Sequence, residues 1–210
     1  MLVKTPLYRI WKNKFATGLK RKRLAKILAL AGLADANRKI RILEVGCANG
    51  QDALQFLDDA DKYELVGVDI IDSKIPFPNF TFVQADASKL PFEDNSFDLV
   101  ISIGLLEHIE PIENLCKVIS EMHRVGKAYV SVVPSVSTLL EPHAVSLRWP
   151  VRMHKKMVHK YAADIPLHLN FFSDHTWSKF EGFMDADIQR QYYLFPFIKN
   201  TFIYGKKPNA

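Results

Sequence analysis

The chain has 210 residues, of which 48% are hydrophobic and 24% charged, enough for one globular domain with a full core and no requirement for a second. Its longest apolar runs, such as Ile27 to Ala34, stop far short of the roughly 20 residues of a membrane span. The first residues lack the apolar core of a signal peptide, and the 2 cysteines, Cys47 and Cys116, have no C-x-x-C spacing, which argues against a zinc site or a disulfide framework and for a cytoplasmic protein.

The net charge of +5 is unevenly placed. Residues 1–26 hold nine Lys/Arg and no Asp or Glu, leaving 19 basic residues against 23 acidic ones, a net −4, in the remainder. Lys4 to Lys14 alternates bases with Leu7, Tyr8, Ile10 and Trp11; Phe15 and then Lys20-Arg21-Lys22-Arg23 follow. From Leu24 the spacing predicts a helix with Leu24, Ile27, Leu28 and Ala31 on one face and Gly32 near its end. A basic arm (1–36) of this kind suits a leading helix with solvated lysines, peripheral contact with anionic membrane, or nucleic acid.

Ile40 to Val45 reads as a buried strand, short, rich in β-branched residues and bounded by glycine. Gly46-Cys47-Ala48-Asn49-Gly50 then makes a small-residue turn in which the backbone can approach a ligand. Gln51 to Lys62 spaces Ala53, Phe56, Leu57 and Ala60 as an amphipathic helix, with Asp52 in its first turn. Strand, glycine turn and helix form the entrance to an α/β nucleotide site, although a connection without a ligand has the same local grammar. The pattern Gly46-x-Ala48-x-Gly50, with Glu44 two residues ahead, resembles the first motif of the class I S-adenosylmethionine-dependent methyltransferases. It departs from that motif at Ala48, where the family has a middle glycine; a methyl group fits there if φ is negative.

Glu64 to Ile70 reads as a second buried strand ending in Asp69, which lies 23 residues beyond Gly46. An acid at that strand end can accept both hydroxyls of a ribose. Phe80 to Gln84 is a third strand, and Asp86 again falls at its C-terminal edge. The stretch Gln84 to Phe92 looks like the family's adenine-contacting loop, which implies that Asp86 with Ala87 reads the adenine edge and that Ile70 packs on its face; a simple loop cap is the other role open to Asp86.

Glu93 to Ser96 is a polar turn before a fourth strand, Phe97 to Ser102. Ser96-Phe97-Asp98, Val100, Ser102 and Leu106-Glu107-His108 are similar to the family's S-F-D-x-V-x-S-x-x-x-L-E-H pattern. The resemblance implies that the backbone near Ser102 and Ile103 passes the methionine moiety and that Glu107-His108 faces the cofactor or the substrate mouth. His108 could act as a general base or as a hydrogen-bonding wall residue.

Pro111 is placed as the first residue of a helix whose apolar face is Ile112, Leu115, Cys116, Ile119 and Met122, closed by Gly126. Lys127 to Val133 is a fifth strand. Residues 134–172 break the rhythm, which resembles the family's segment after the fifth strand where it builds the substrate pocket, and hold Arg148, Trp149, Arg152, Lys155, Lys156 and Lys160. Five of the seven histidines lie between 143 and 175. His154 and His159 are about 140° apart on a helix, and no HxxxH or HExxH spacing occurs, so no metal site is expected; a cap over a small, anionic or amphiphilic acceptor fits better. His168, Phe171-Phe172-Ser173, Phe180 and Gly182-Phe183 resemble the family's connection before its last strands. They predict a short helix capped by Ser173 and stopped by Gly182, with Ile188 to Phe195 and Thr201 to Lys206 as a closing antiparallel pair.

The resemblance spans residues 38–206 and implies a Rossmann-like α/β fold: a mostly parallel seven-stranded sheet with helices on both faces and an antiparallel last strand, one domain over 1–210. It implies S-adenosyl-L-methionine as cofactor and methyl transfer to a small molecule. The cofactor-binding residues would be Glu44, Gly46, Cys47, Gly50, Asp69, Ile70, Asp86, Ala87 and Ile103, with His108 as the catalytic candidate. The alternatives are a nucleic-acid methyltransferase, for which the [DNS]-P-P-[YFW] tetrapeptide is missing after the fourth strand, and a non-catalytic cofactor-binding scaffold. A nicotinamide-dependent oxidoreductase fits least, lacking both the glycine spacing and a Tyr-x-x-x-Lys.

Overall fold

The computed structural model describes residues 18, 20–48, 50, 61–72, 80–135, 140–141, 146–147, 172–183, 185–194 and 198–207. Residues 51–60 of the helix expected over Gln51 to Lys62, and most of the 134–172 cap, lie outside them, while Asp61 and Lys62 form a turn.

Five strands, β1 (Ile40–Val45), β2 (Tyr63–Asp69), β3 (Phe80–Gln84), β4 (Phe97–Ile103) and β5 (Gly126–Pro134), run parallel. They are followed by β6 (Asp187–Leu194) and β7 (Ile198–Lys206). The sheet order is β3-β2-β1-β4-β5-β7-β6, with β7 antiparallel to both neighbours. A separate two-stranded ladder joins Leu140–Glu141 to Ser146–Leu147.

The near-continuous apolar runs of β1, β2, β4 and β5 reflect burial on both faces of the sheet. Alternate side chains go to opposite cores. Leu43, Val45, Val66, Val68, Val100 and Tyr129 face one, where the helix α2 (Ile112–Val125) lays Leu115, Val118, Ile119, Met122 and Val125. Ile40, Ile42, Leu65, Leu99, Ile101 and Val130 face the other, covered by a helix, α1, over residues 20–30 that contributes Ile27 and Leu28, with Ala31 beyond its end. At roughly 1.5–3 kcal/mol for each fully buried aliphatic side chain, these faces fix which way every strand turns. Helix α1 begins before Leu24 because Lys20 to Arg23 extend it without adding an apolar period.

Pro111 caps α2 instead of opening it, and Gly126 ends the helix and begins β5. Ser173 caps α3 (Asp174–Trp177) as expected, its Oγ accepting the Thr176 N–H at 3.2 Å. Gly182 does not stop that helix; it lies inside a later 3₁₀ turn, Glu181–Phe183. Trp177, Phe180 and Phe183 fill the end of the first core.

At the N-terminal edge of the sheet, Asp98 ties three segments together. It accepts hydrogen bonds from Arg38 at 2.8 and 2.9 Å, the Arg41 N–H at 3.0 Å and Lys127 at 3.1 Å. Burial raises its pKa, and these donors outweigh that, holding the carboxyl well below its usual range. The polar clamp sits at one end of the sheet and leaves the C-terminal ends of the strands for chemistry.

Candidate functional site

In an open α/β sheet with this order, the chain leaves β1 and β4 on opposite sides, and the crevice outside their C-terminal ends is where ligands bind. Register places Val45 beside Val68 and Ser102, so the turn after β1 lies between the ends of β2 and β4. The turn is anchored by the Gly46 and Cys47 N–H groups, which donate to the Val68 carbonyl at 2.8 and 3.1 Å, and it closes with Gly50 N–H on the Cys47 carbonyl at 2.7 Å.

Gly46 has φ +75°, and a Cβ there would lie 2.8 Å from Leu105 Cδ1, so glycine answers both the backbone geometry and the inward closure of Leu105. Ala48 has φ +45°. The negative φ that would make its methyl group harmless is therefore not what the turn adopts, and the chain carries an alanine in a left-handed conformation that disfavours a Cβ.

Asp69 is what holds that conformation. Its Oδ2 accepts the Ala48 N–H at 2.8 Å and its Oδ1 the Ile71 N–H at 3.1 Å. Each oxygen keeps a further lone pair, and the carboxylate is oriented across the turn. Beside it Ile70 and Ile71 are 67% and 69% exposed, an uncommon pair of large apolar side chains turned to solvent. Gln84, last residue of β3, donates through Nε2 to the Ile70 carbonyl at 3.0 Å, and the Ala85 N–H donates to the Asp69 carbonyl at 3.1 Å. Polar acceptor and apolar platform are thus fixed by the neighbouring strand.

Asp86 is exposed and acts as a loop cap, its Oδ1 accepting the Ser88 N–H at 2.8 Å. That bond, helped by the Ser88 hydroxyl, holds its carboxyl below the ordinary range. Ala87 is half-buried against the α2-side core. Glu44 is buried at the end of β1, between Gly67 and Ile101 in register. Cys47 is buried too; its burial, then the Glu44 and Asp69 carboxylates, push its thiol up to about 12. A nucleophilic role is thereby removed, since the thiolate is the reactive form.

On the β4 side, Ile103 is half-exposed and Gly104, at φ +70°, turns the chain, its N–H on the Val132 carbonyl at 3.0 Å. The 3₁₀ turn Leu106–His108 follows, burying Leu106 and Glu107 and leaving His108 exposed at the rim. Under it, Ser102 and Ser131 share a buried hydrogen bond, Oγ to Oγ, of 3.1 Å.

The structure therefore gathers Glu44, Gly46, Cys47, Gly50, Asp69, Ile70, Asp86, Ala87, Ile103 and His108 at the C-terminal edge of four adjacent strands. Sequence reasoning missed Leu105, Gln84 and Ile71; only Gln84 carried a signal, a polar residue closing an apolar strand. Among the described residues no three His, Cys, Asp or Glu side chains converge as metal ligands. His143, His154, His159 and His168 lie outside the described residues.

Residues 43–130 match the family described as "Methyltransferase domain". The chain is 32% identical over 109 residues to a sterol 4-C-methyltransferase of Caenorhabditis elegans, covering 47% of this chain and 31% of that protein. It is 32% identical over 130 residues to a ubiquinone/menaquinone biosynthesis C-methyltransferase of Brucella canis, covering 60% of this chain and 45% of that one. The chain thus spans less than half the length of these curated relatives. In fold it is similar to the 1,6-didemethyltoxoflavin-N1-methyltransferase of Burkholderia thailandensis, solved with bound 1,6-didemethyltoxoflavin and S-adenosylhomocysteine. There the TM-score is 0.59 at 15% identity, covering 95% of this chain and 81% of that one.

Proposed function

We propose that this chain is a methyltransferase of the class I S-adenosylmethionine-dependent type and that it transfers a methyl group from S-adenosylmethionine to a small-molecule acceptor, a reading supported by the methyltransferase-domain match over residues 43–130. The observation that carries the reading is Asp69, a carboxylate fixed by the Ala48 and Ile71 N–H groups beside the exposed Ile70–Ile71 platform. That pairing of an oriented acceptor with bare apolar surface fits a nucleoside, ribose hydroxyls on the one and adenine on the other.

When bound, the cofactor supplies a methyl group on a sulfonium sulfur that is already an activated leaving group. What remains for the chain is binding, alignment and exclusion of water. Asp69 takes the ribose hydroxyls and Ile70 the adenine face; Asp86 and Ala87 line its edge. Gly46, Cys47 and Gly50 let the backbone approach, Glu44 orients the cofactor's amino group, and Ile103 borders its methionine portion. His108, at the rim, holds the acceptor or takes its proton. We read residues 1–210 as one methyltransferase domain with a basic arm (1–36) and a substrate cap (134–172). The basic and aromatic composition of the cap fits an anionic or amphiphilic acceptor. The free thiols Cys47 and Cys116 accord with a cytoplasmic setting.

The test is release of S-adenosylhomocysteine from S-adenosylmethionine, measured across phenolic, enolic and carboxylate acceptors. Acceptor-dependent release, abolished by Asp69→Ala, is expected. A second reading, a non-catalytic cofactor-binding protein, is favoured by the alanine held at φ +45° in the turn; cofactor binding without release for any acceptor would select it.

A further inference from the structure

We propose that the cleft between α2 and the 3₁₀ turn Glu181–Phe183 is a second ligand site, one that takes a single aromatic ring carrying an ammonium group. The inference is independent of the methyl-transfer reading. The cleft holds about 170 Å³ and is lined by Cys116, Ile119, Ser120, His123, Phe180 and Glu181. None of the residues gathered at the C-terminal ends of the strands lines it. Its volume is close to that of a core cavity, about 150 Å³, that accepts one benzene molecule.

Two unlike walls build the cleft. Cys116, Ser120 and His123 recur at i, i+4 and i+7 on one flank of α2, which sets their polar atoms in a row beside the buried Ile119. Across from them Phe180 is buried, its ring 5.6 Å from those of Phe172 and Trp177. Ile119 and Phe180 thus make a fixed apolar floor, and a ring laid on it exchanges water for apolar contact.

Above that floor stand acceptors. Ser120, His123 and Glu181 make no side-chain hydrogen bond among the described residues. Burial, and then the charge of Lys207, hold the His123 imidazole below its usual range, against the opposing pull of Asp185. The ring is therefore neutral at pH 7 and keeps one nitrogen as an acceptor; it is seated on Tyr129, 5.4 Å between centroids. Glu181, exposed at the rim, is the charged side chain of the lining. Lys207 is itself bonded to Asn95 and to the Arg124 carbonyl, and Arg124 to Glu121 and Asp94. A cation with N–H donors thus meets carboxylate, hydroxyl and imidazole, whereas an anion of the same shape meets the Glu181 charge. A metal ion is the wrong occupant. Cys116 and His123 stand about 10 Å apart along α2, and among the described residues no three His, Cys, Asp or Glu side chains converge.

Cys116 reports occupancy, because its exposed thiol lies on the wall. The experiment follows modification of Cys116 by dithiodipyridine, read by mass spectrometry, in the full chain with phenethylamine or with phenylacetate, a similar ring with the opposite charge. Phenethylamine at millimolar concentration slows the modification, and phenylacetate protects about fivefold more weakly, the effect of one exposed ion pair. Glu181→Gln makes the two ligands alike. Ser120→Trp fills the cleft and abolishes protection with the thermal midpoint unchanged, since Ser120 is exposed. No slowing by phenethylamine, equal slowing by both ligands in the wild type, or protection that persists in Ser120→Trp overturns the proposal.

Discussion

Replacing Ala48 by glycine raises the thermal midpoint, opposite in sign to the usual effect of glycine. Ala48 sits at φ +45°, is exposed and gives only its backbone N–H to Asp69, so the substitution removes a strained Cβ without removing a contact. Relief of the left-handed conformation is worth about 1–2 kcal/mol. The extra freedom of glycine in the unfolded chain costs about 0.4–1 kcal/mol. The difference, on the order of 0.8 kcal/mol, corresponds to a rise of about 2 °C for a chain of this size. Circular dichroism melts of the two proteins measure it. A fall of about 1–3 °C, the result for a glycine that only loosens the unfolded chain, would refute the strain argument.

Cys116 is exposed and Cys47 buried with its thiol pushed up to about 12, so iodoacetamide at pH 8 labels Cys116 alone in the native protein; mass spectrometry showing equal labelling would contradict this. The Asp98 carboxyl is lowered on folding, so its stabilisation is present above about pH 4, the unfolded carboxylate pKa, and is lost as pH falls toward its folded value. Melts from pH 7 to pH 3 show that loss, and Arg38→Gln, which raises the folded pKa, makes it shallower; an unchanged slope speaks against the clamp. Gln84→Ala frees the Ile70 carbonyl and weakens S-adenosylhomocysteine binding about 2- to 12-fold, the worth of one hydrogen bond. A change in melting without a change in affinity would assign Gln84 to folding alone.

The fold was legible where burial on both faces forced apolar runs. Ile40–Val45 and Phe80–Gln84 stand with the bounds their composition predicts, and α2 ends at Gly126 as expected. Boundaries slipped where side chains carry no period: α1 runs back through four consecutive bases, and β7 starts at Ile198, ahead of the expected Thr201, because pairing with β6 and not apolar spacing decides its length. In the site, residues marked by chemistry, Asp69 and Gly46, were readable. Ala48 was not, because its φ is set by the hydrogen bond to Asp69, 21 residues away. Leu105 was not either, since its contact with Gly46 exists only once β1 and β4 lie side by side.

The most direct measurement is calorimetric titration of the chain and of Asp69→Ala with S-adenosylhomocysteine. Removing a carboxylate that accepts ribose hydroxyls costs about 1.5–3 kcal/mol, so micromolar binding by the wild type should weaken at least tenfold in the variant. A folded wild type that takes up no S-adenosylhomocysteine would contradict the account.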